Sequence, residues 1–304
     1  MDPEYHEAKL RYRGPKQKIG PRTQFQKHLQ GNIYAQALAT PYRRCPVTSV
    51  GLPKHFLISF KVLTDPKSPR TWFFPRDDAM KEPEDRSEQI PGPSMHVLAR
   101  QTLLRDFSVQ GDPNFKGYRR MMFRMDAQGA ARLGLPSNYT PSWREDTDEF
   151  VVEYLRRPIV KSLLKHAALT EKEDRKYLIK LNHWDDAKEH NHRGCLLYLG
   201  QPPPTTKTGE QNETTDPAPA PASALAPPPE RLSMLTIEGV KRNGKLPIHD
   251  LRALLGEEHM ARLREESPLL RGGELFMLGR RRTKYLEIQL WKLQGYMAPE
   301  EPRT

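Results

Sequence analysis

A proline-rich segment, residues 201–230, places the strongest constraint on how this chain can fold. Its sequence, QPPPTTKTGEQNETTDPAPAPASALAPPPE, has almost no bulky apolar side chains. Such a segment cannot bury enough apolar surface to offset the entropy lost on ordering, so we expect a disordered linker. The chain is therefore predicted to divide into a main region before the linker and a C-terminal α/β module, residues 231–304, after it.

The supply of apolar residues is low for the length of the chain. Hydrophobic residues make up 36% of the 304 residues, and 29 residues are proline, whereas compact proteins have roughly 45–50% apolar residues when glycine is included. The core is therefore expected to be thin. The composition predicts an α+β fold with a small mixed body, residues 46–200, preceded by a long basic N-terminal arm, residues 1–45.

Patterns within the body predict its elements. HFLISFKVL is rich in aromatic and β-branched residues, which favour a strand. Residues 64–94 contain six prolines and predict a loop with an aromatic anchor at Trp72 to Phe74. A helix is predicted to start at Ser94 as N-cap, and residues 148–181 are predicted to be helices broken at Pro158.

The segment after the linker predicts a helix–strand–helix module. LPIHDLRALLGEEHMARLREE has apolar residues at helical spacing, GELFMLGR is typical of a short strand, and TKYLEIQLWKLQGYM predicts a second helix that ends near Gly295.

The N-terminal arm is basic and contains no acid between Ala8 and Cys45. Tyr12, Phe25 and Tyr34 are interleaved with its cations, so rings could stack on bases while cations meet phosphates, as in proteins that lie along RNA. The alternative is a disordered, solvated basic tail. The nine basic residues are Lys9, Arg11, Arg13, Lys16, Lys18, Arg22, Lys27, Arg43 and Arg44.

Two further groups of cations lie outside the arm. Arg119 and Arg120 belong to YRRMMFRM, whose alternation is compatible with a strand that has one basic face. Four cations at the start of the last predicted helix oppose the helix dipole and repel one another, so a polyanion partner would explain them. These are Arg280, Arg281, Arg282 and Lys284. Ordinary solvated charge is the alternative, although the net charge of +11 also favours a polyanion.

The sequence contains no G-x-S-x-G elbow, P-loop, dinucleotide-binding fingerprint or H-E-x-x-H motif, so the chain is not expected to be an enzyme. A hydrolase that uses residues 95–200 is the less favoured alternative. His183, His190, His192 and Cys195 are weak candidates for a zinc site, but their spacing matches no standard zinc pattern and a polar loop explains them equally well. We therefore predict no metal and no cofactor.

Cys45 follows Arg43 and Arg44, which would favour a reactive thiolate. A small buried residue between two turns is the commoner role, and we favour it. The two cysteines of the chain cannot form a disulfide framework, and no apolar run approaches the ~20 residues that cross a bilayer. An intracellular, soluble protein without a transmembrane segment is expected.

The motifs ALATPYRRCPVTSVGLPKHFLISF, PRTWFFP and GRRRTKYLEIQLWKLQGYM resemble those of lineage-specific fungal mitochondrial ribosomal proteins, most closely of the small subunit. The resemblance implies a structural constituent of the mitochondrial ribosome that supports mitochondrial translation in the matrix. Its partners would be rRNA and other mitochondrial ribosomal proteins, with no small-molecule substrate.

The N-terminal sequence departs from a typical mitochondrial presequence. Asp2, Glu4 and Glu7 are acidic, and the basic stretch from Lys9 to Lys27 contains no serine. A cleaved presequence is therefore neither indicated nor excluded by the residues. The alternative function is a separate RNA-binding or gene-expression factor of mitochondria or the nucleus.

Overall fold

The computed structural model of the chain describes residues 4, 7, 23–64, 71–76, 94–108, 143–173, 176–190, 193–200, 234–236, 245–279 and 283–299. They form an α+β body, as the composition and patterns predict. The linker predicted at 201–230 and the strand predicted around Arg119 and Arg120 lie outside these residues.

Residues 24–31 and 33–38 of the N-terminal arm are helical, so the prediction of an extended arm is wrong for this part. Helices α1 (Gln24–Gly31) and α2 (Ile33–Leu38) follow each other directly. Thr23 caps α1 through a reciprocal pair of hydrogen bonds with Gln26. Asn32 caps α2, because its side-chain oxygen accepts from two backbone N–H groups. These caps satisfy donors that an extended chain would leave to water.

A two-stranded ribbon follows the helices. Strands β1 (Tyr42–Arg44) and β2 (Gly51–Pro53) are antiparallel, and a 3₁₀ turn at Lys54–Phe56 leads from β2 into the body.

A three-stranded antiparallel sheet has the order β4-β3-β5. Its central strand β3 (Leu57–Thr64) confirms the strand predicted at HFLISFKVL. The aromatic residues expected in a loop instead belong to the edge strand β4 (Thr71–Pro75). The helix predicted to start at Ser94 is wrong, because residues Ser94–Leu98 form strand β5, in which alternate side chains face the core. Helix α3 (Gln101–Ser108) begins after this strand.

The longest helix among the described residues is α4 (Thr147–Glu173), which runs for 27 residues and includes Pro158. The predicted break at this proline is wrong. Leu155 and Ile159, which flank the proline, are buried in the core. Their packing therefore stabilises the helix by more than the missing backbone hydrogen bond destabilises it. The helix ends well before Leu181, which belongs to strand β6 (Leu178–Leu181).

A second sheet joins strands from both sides of the linker. Its order is β6-β10-β7-β9-β8, with β7 at Arg193–Tyr198, β8 at Met234–Thr236, β9 at Lys245–Asp250 and β10 at Leu275–Gly279. Strand β10 lies between β6 and β7 and is antiparallel to both, whereas β9 runs parallel to β7. The C-terminal segment, predicted as a module of its own, therefore shares its sheet with the main region. The reason is the apolar run in β10, whose residues Leu275 to Leu278 are buried on both faces of the sheet.

The described helices of the C-terminal segment are α5 (Leu251–Glu266), which is kinked at Gly256, α6 (Pro268–Arg271) and α7 (Lys284–Met297). The residues LPIHD form β9 rather than the predicted start of a helix, and Asp250 caps α5. Helix α7 confirms the predicted last helix, although it continues past Gly295 to Met297. It packs against α4 and α2, which brings the last helix against the N-terminal segment.

No helix in the described ranges is long and apolar enough to cross a membrane.

Candidate nucleic-acid interface

An aromatic cluster fastens the N-terminal helices to the last helix. The ring of Trp291 on α7 lies 4.8 Å from the ring of Tyr34, 5.1 Å from that of His55 and 5.5 Å from that of Phe56, measured between centroids. Its contacts with Tyr34 and Phe56 are edge-to-face, the geometry that aromatic pairs prefer. Helix α2 is thereby held against α7.

Hydrogen bonds fix the chain where it leaves α2. The hydroxyl of Thr40 donates to the carbonyl oxygen of Ala37 at 2.7 Å and accepts from the backbone N–H of His55 at 3.1 Å. The backbone N–H of Lys54 donates to the carbonyl oxygen of Pro41 at 2.9 Å. Because these bonds join both ends of the segment from Pro41 to Lys54, the strands between them are held to the body at their base.

Cys45 closes the turn between β1 and β2. Its backbone N–H donates to the carbonyl oxygen of Val50 at 2.8 Å, and its buried sulfur accepts from the N–H groups of Thr48 at 3.5 Å and Leu98 at 3.4 Å. The bond to Leu98 ties the turn to β5. Cys45 is therefore a buried anchor, the role that we favoured over a reactive thiolate.

The turn also contains a backbone conformation that is rare for residues other than glycine. Ser49 has φ of 60°, in the left-handed region. Its carbonyl oxygen accepts a hydrogen bond of 3.1 Å from Nε of Arg44, and its N–H donates to the carbonyl oxygen of Cys45 at 3.0 Å. The side chain of Arg44 is thus held along the turn.

Residues 42–53, which we name the basic ribbon, present two unpaired cations. Arg43 and Arg44 are exposed, and within the described residues neither guanidinium pairs with a carboxylate. Arg43 donates to the carbonyl oxygen of Tyr42 at 3.2 Å. The sequence contains no aspartate or glutamate between Ala8 and Thr64. The basic ribbon therefore belongs to a continuous stretch of chain that carries only positive charge.

Large apolar side chains are exposed on β1 and on α1. Tyr42 on β1 is 68% exposed and Phe25 on α1 is 70% exposed, while Lys27, between Phe25 and Leu29, is also exposed. Exposed cations and exposed aromatic rings suit a partner that offers phosphates and unstacked bases.

The ring of Tyr42 lies over Gly51 on the neighbouring strand. A methyl group at Gly51 would be 2.5 Å from Cε1 and 2.7 Å from Oη of Tyr42, closer than any real contact. In the register of the ribbon, Tyr42 is opposite Pro53 and Gly51 is opposite Arg44. Glycine at position 51 is therefore what allows the ring to lie against the backbone of β2.

Lys284 is the first residue of α7 and is half-buried. Its ammonium lies 5.0 Å from the centroid of the Tyr285 ring, a cation–π contact. Thr283 before it is buried, and its hydroxyl proton is shared between the carbonyl oxygen of Gly279 at 2.9 Å and a carboxylate oxygen of Glu287 at 3.1 Å. The position is seven residues, about 10 Å, along the helix from Trp291, which anchors α2.

The remaining predicted RNA-binding cations lie outside the described residues. They are Lys9, Arg11, Arg13, Lys16, Lys18, Arg22, Arg119, Arg120, Arg280, Arg281 and Arg282.

In the described part of the stretch from His183 to Cys195, a capped 3₁₀ turn spans Trp184–Glu189, and Arg193 to Cys195 belong to β7. A carboxylate oxygen of Asp186 accepts from the backbone N–H groups of Asn182 and His183, both at 2.9 Å, and these bonds lower the pKa of Asp186. Burial, and then the nearby Glu287, raise the pKa of the Cys195 thiol, which opposes the thiolate form that zinc requires. His192 lies outside the described residues.

The parts of the chain that the structure describes contain no group of three or more His, Cys, Asp or Glu residues that could hold a metal ion. His183 is exposed and His190 is half-buried. Their surroundings fit a polar turn at the edge of the sheet.

Sequence reasoning placed Arg43 and Arg44 at the interface but missed Tyr42 and Gly51. The only local signal is the tyrosine directly before two arginines in TPYRR. The role of Gly51 depends on the strand register, which the sequence alone does not show.

Comparisons of the chain with protein-family models, with curated proteins and with solved structures gave no match.

Proposed function

We propose that this chain is a structural, non-catalytic component of the mitochondrial ribosome, of its small subunit, which binds rRNA and neighbouring ribosomal proteins. The observation that carries the RNA-binding part is the basic ribbon, where Arg43 and Arg44 are exposed, unpaired with any described carboxylate and fixed to the body. The mitochondrial setting, in the matrix and in support of mitochondrial translation, rests on the resemblance of the sequence motifs.

The position of the ribbon favours binding by preorganisation. Its base is held by Thr40, Lys54 and Cys45, so little backbone entropy is lost when the arginines meet phosphates. Each cation that neutralises a phosphate releases condensed counterions, so binding should weaken as salt rises. The absence of aspartate and glutamate between Ala8 and Thr64 removes local repulsion of phosphate.

The test is sedimentation of the full chain with mitochondrial small ribosomal subunits through gradients of increasing salt. We expect co-sedimentation at moderate salt. The double variant Arg43→Gln/Arg44→Gln should dissociate at lower salt, and the slope of log affinity against log salt should fall by up to about 2.

The matched control is Arg157→Gln/Arg262→Gln, which removes the same charge. Arg157 pairs with Glu153 and Arg262 pairs with Glu266 on helix surfaces. This variant should behave like the wild type. A chain that sediments free of ribosomal particles at every salt concentration would rule out the proposal, and equal behaviour of the two double variants would rule out the ribbon as its RNA contact.

Stoichiometry separates a ribosomal constituent from a gene-expression factor that binds RNA transiently. A constituent should be present once per small subunit after a high-salt wash. A factor should be substoichiometric and lost in the same wash, and that result would favour the alternative function.

A further inference from the structure

The ring of Tyr42 is held in place but is largely open to solvent. The ring lies against Gly51, where an added methyl group would be 2.5 Å from its Cε1 and 2.7 Å from its Oη. Yet the residue is 68% exposed. An aromatic ring in this situation loses little conformational entropy when a flat partner covers its free surface.

The surroundings of the ring define the chemistry of that partner. Arg43 and Arg44 follow it on the same strand, and both are exposed. No acidic residue occurs in the sequence within twenty positions of Tyr42 on either side. A partner that offers a flat apolar surface next to negative charges fits this arrangement, and a nucleotide has both.

We propose that Tyr42 is a stacking platform for an unpaired RNA base, with a phosphate of the same strand held by Arg44, which leaves β1 on the same face as Tyr42. The proposal rests on the RNA-binding function proposed above and specifies which form of RNA the basic ribbon binds. It requires a single-stranded loop, bulge or end, because the bases of a duplex are stacked on one another and cannot lie on a protein ring.

Stacking and charge neutralisation make different predictions for selectivity. Every base has a π-face, so stacking on Tyr42 should tolerate any base sequence. Phosphate contacts alone do not distinguish single strands from duplexes in this way. A preference of the ribbon for single strands that depends on Tyr42 is thus the signature of the platform.

The experiment measures the affinity of the full chain for two fluorescently labelled RNAs at fixed salt, a short oligouridylate and a duplex of the same charge. Tyr42→Ala should weaken binding of the oligouridylate by roughly 10- to 100-fold, with little change for the duplex and no change in the salt slope. Tyr42→Phe should retain the affinity of the wild type, because the ring remains. Gly51→Ala should weaken oligouridylate binding although the ring is present, because the added methyl group displaces it.

The outcomes distinguish this proposal from the function on which it rests. If Tyr42→Ala leaves oligouridylate binding unchanged while Arg43→Gln/Arg44→Gln weakens it, the platform is wrong and RNA binding by the ribbon stands. If neither variant changes the affinity for either RNA, both are wrong. If Tyr42→Ala impairs only incorporation into the ribosomal particle, the ring faces a protein instead, which also overturns the platform. Thermal unfolding of each variant checks that the ribbon remains folded, and Tyr42→Phe tests the ring with the least disturbance.

Discussion

The ammonium of Lys292, on α7, donates a hydrogen bond of 2.9 Å to the backbone carbonyl oxygen of Leu57, the first residue of β3. Lys292 is only 5% exposed and Leu57 is fully buried. The two residues are 235 positions apart in the sequence. This bond joins the last helix directly to the strand that follows the basic ribbon.

Substitution of Lys292 by methionine should destabilise the protein. Methionine keeps much of the apolar stem but removes the donor, which leaves the buried carbonyl of Leu57 without this partner and costs about 1–3 kcal/mol. The free energy of unfolding in urea measures the loss. Lys245→Met is the control, because Lys245 is exposed on β9, and it should change the free energy of unfolding by less than about 0.5 kcal/mol. An equal effect of the two substitutions would contradict the importance of the Leu57 bond.

His249 should make the stability of the protein depend on pH. Burial lowers the pKa of His249 to about 4, against 6.5 in the unfolded chain, although a hydrogen bond with Gln294 raises it in part. Between these two values the unfolded chain binds a proton that the folded protein does not. The stability that His249 contributes is therefore present above pH 6.5 and is lost as the pH falls towards 4, by roughly 3 kcal/mol in total.

The measurement is the free energy of unfolding at pH 7 and pH 4.5 for the wild type and His249→Gln. The variant should lose less stability than the wild type between the two pH values, since the titrating group is gone. His190→Gln is the control. His190 is half-buried and precedes β7 in the sequence, and this variant should keep the pH dependence of the wild type. The same pH dependence in all three proteins would show that His249 is not the source.

Neither cysteine should react with a thiol reagent while the protein is folded. Cys45 and Cys195 are both free and buried, and burial raises the pKa of Cys195, which disfavours its reactive thiolate. Counting the thiols labelled by iodoacetamide should give none in buffer and two in urea. Ser94→Cys, at an exposed position on β5, should add one thiol that reacts at once. Labelling of Cys45 in the folded protein would restore its interpretation as a reactive residue.

The turn of the basic ribbon should be sensitive to the residue at position 49. Since Ser49 has φ of 60°, valine there should lower the free energy of unfolding by about 1–2 kcal/mol, because β-branched side chains clash in the left-handed region. Ser49→Gly should be tolerated. The matched control is Ser94→Val on the extended backbone of β5, where the same substitution should cost little. Equal effects of valine at the two positions would contradict the backbone explanation.

The sequence predicted the elements whose apolar pattern is long and self-contained. Strand β3 and helix α7 are two such cases. It failed where neighbouring strands decide the structure. Met95 and Leu98 fit a helical spacing, but their segment is a strand because it pairs with β3 along Leu57 to Lys61. The helix break at Pro158 failed for a related reason, since tertiary packing on both sides of the proline keeps α4 continuous.

The candidate interface was predictable only in its charges. Arg43 and Arg44 follow from the acid-free composition of the arm, which is local information. The orientation of Tyr42 follows from Gly51, which comes into contact with it only after β1 and β2 pair in a defined register. Periodicity and composition carry no information on such a register.

The position of β10 sets the order in which this body can form. Among the described strands, β6 pairs only with β10, and β7 pairs only with β9 and β10. Both β9 and β10 come after residues 201–230 in the sequence. During synthesis from the N-terminus, β6 and β7 are therefore made before their partners, and their edges stay unpaired until β9 and β10 are made. Open edges are templates for aggregation. A chain that ends after residue 200 would therefore lack the partners of β6 and β7 and would tend to aggregate.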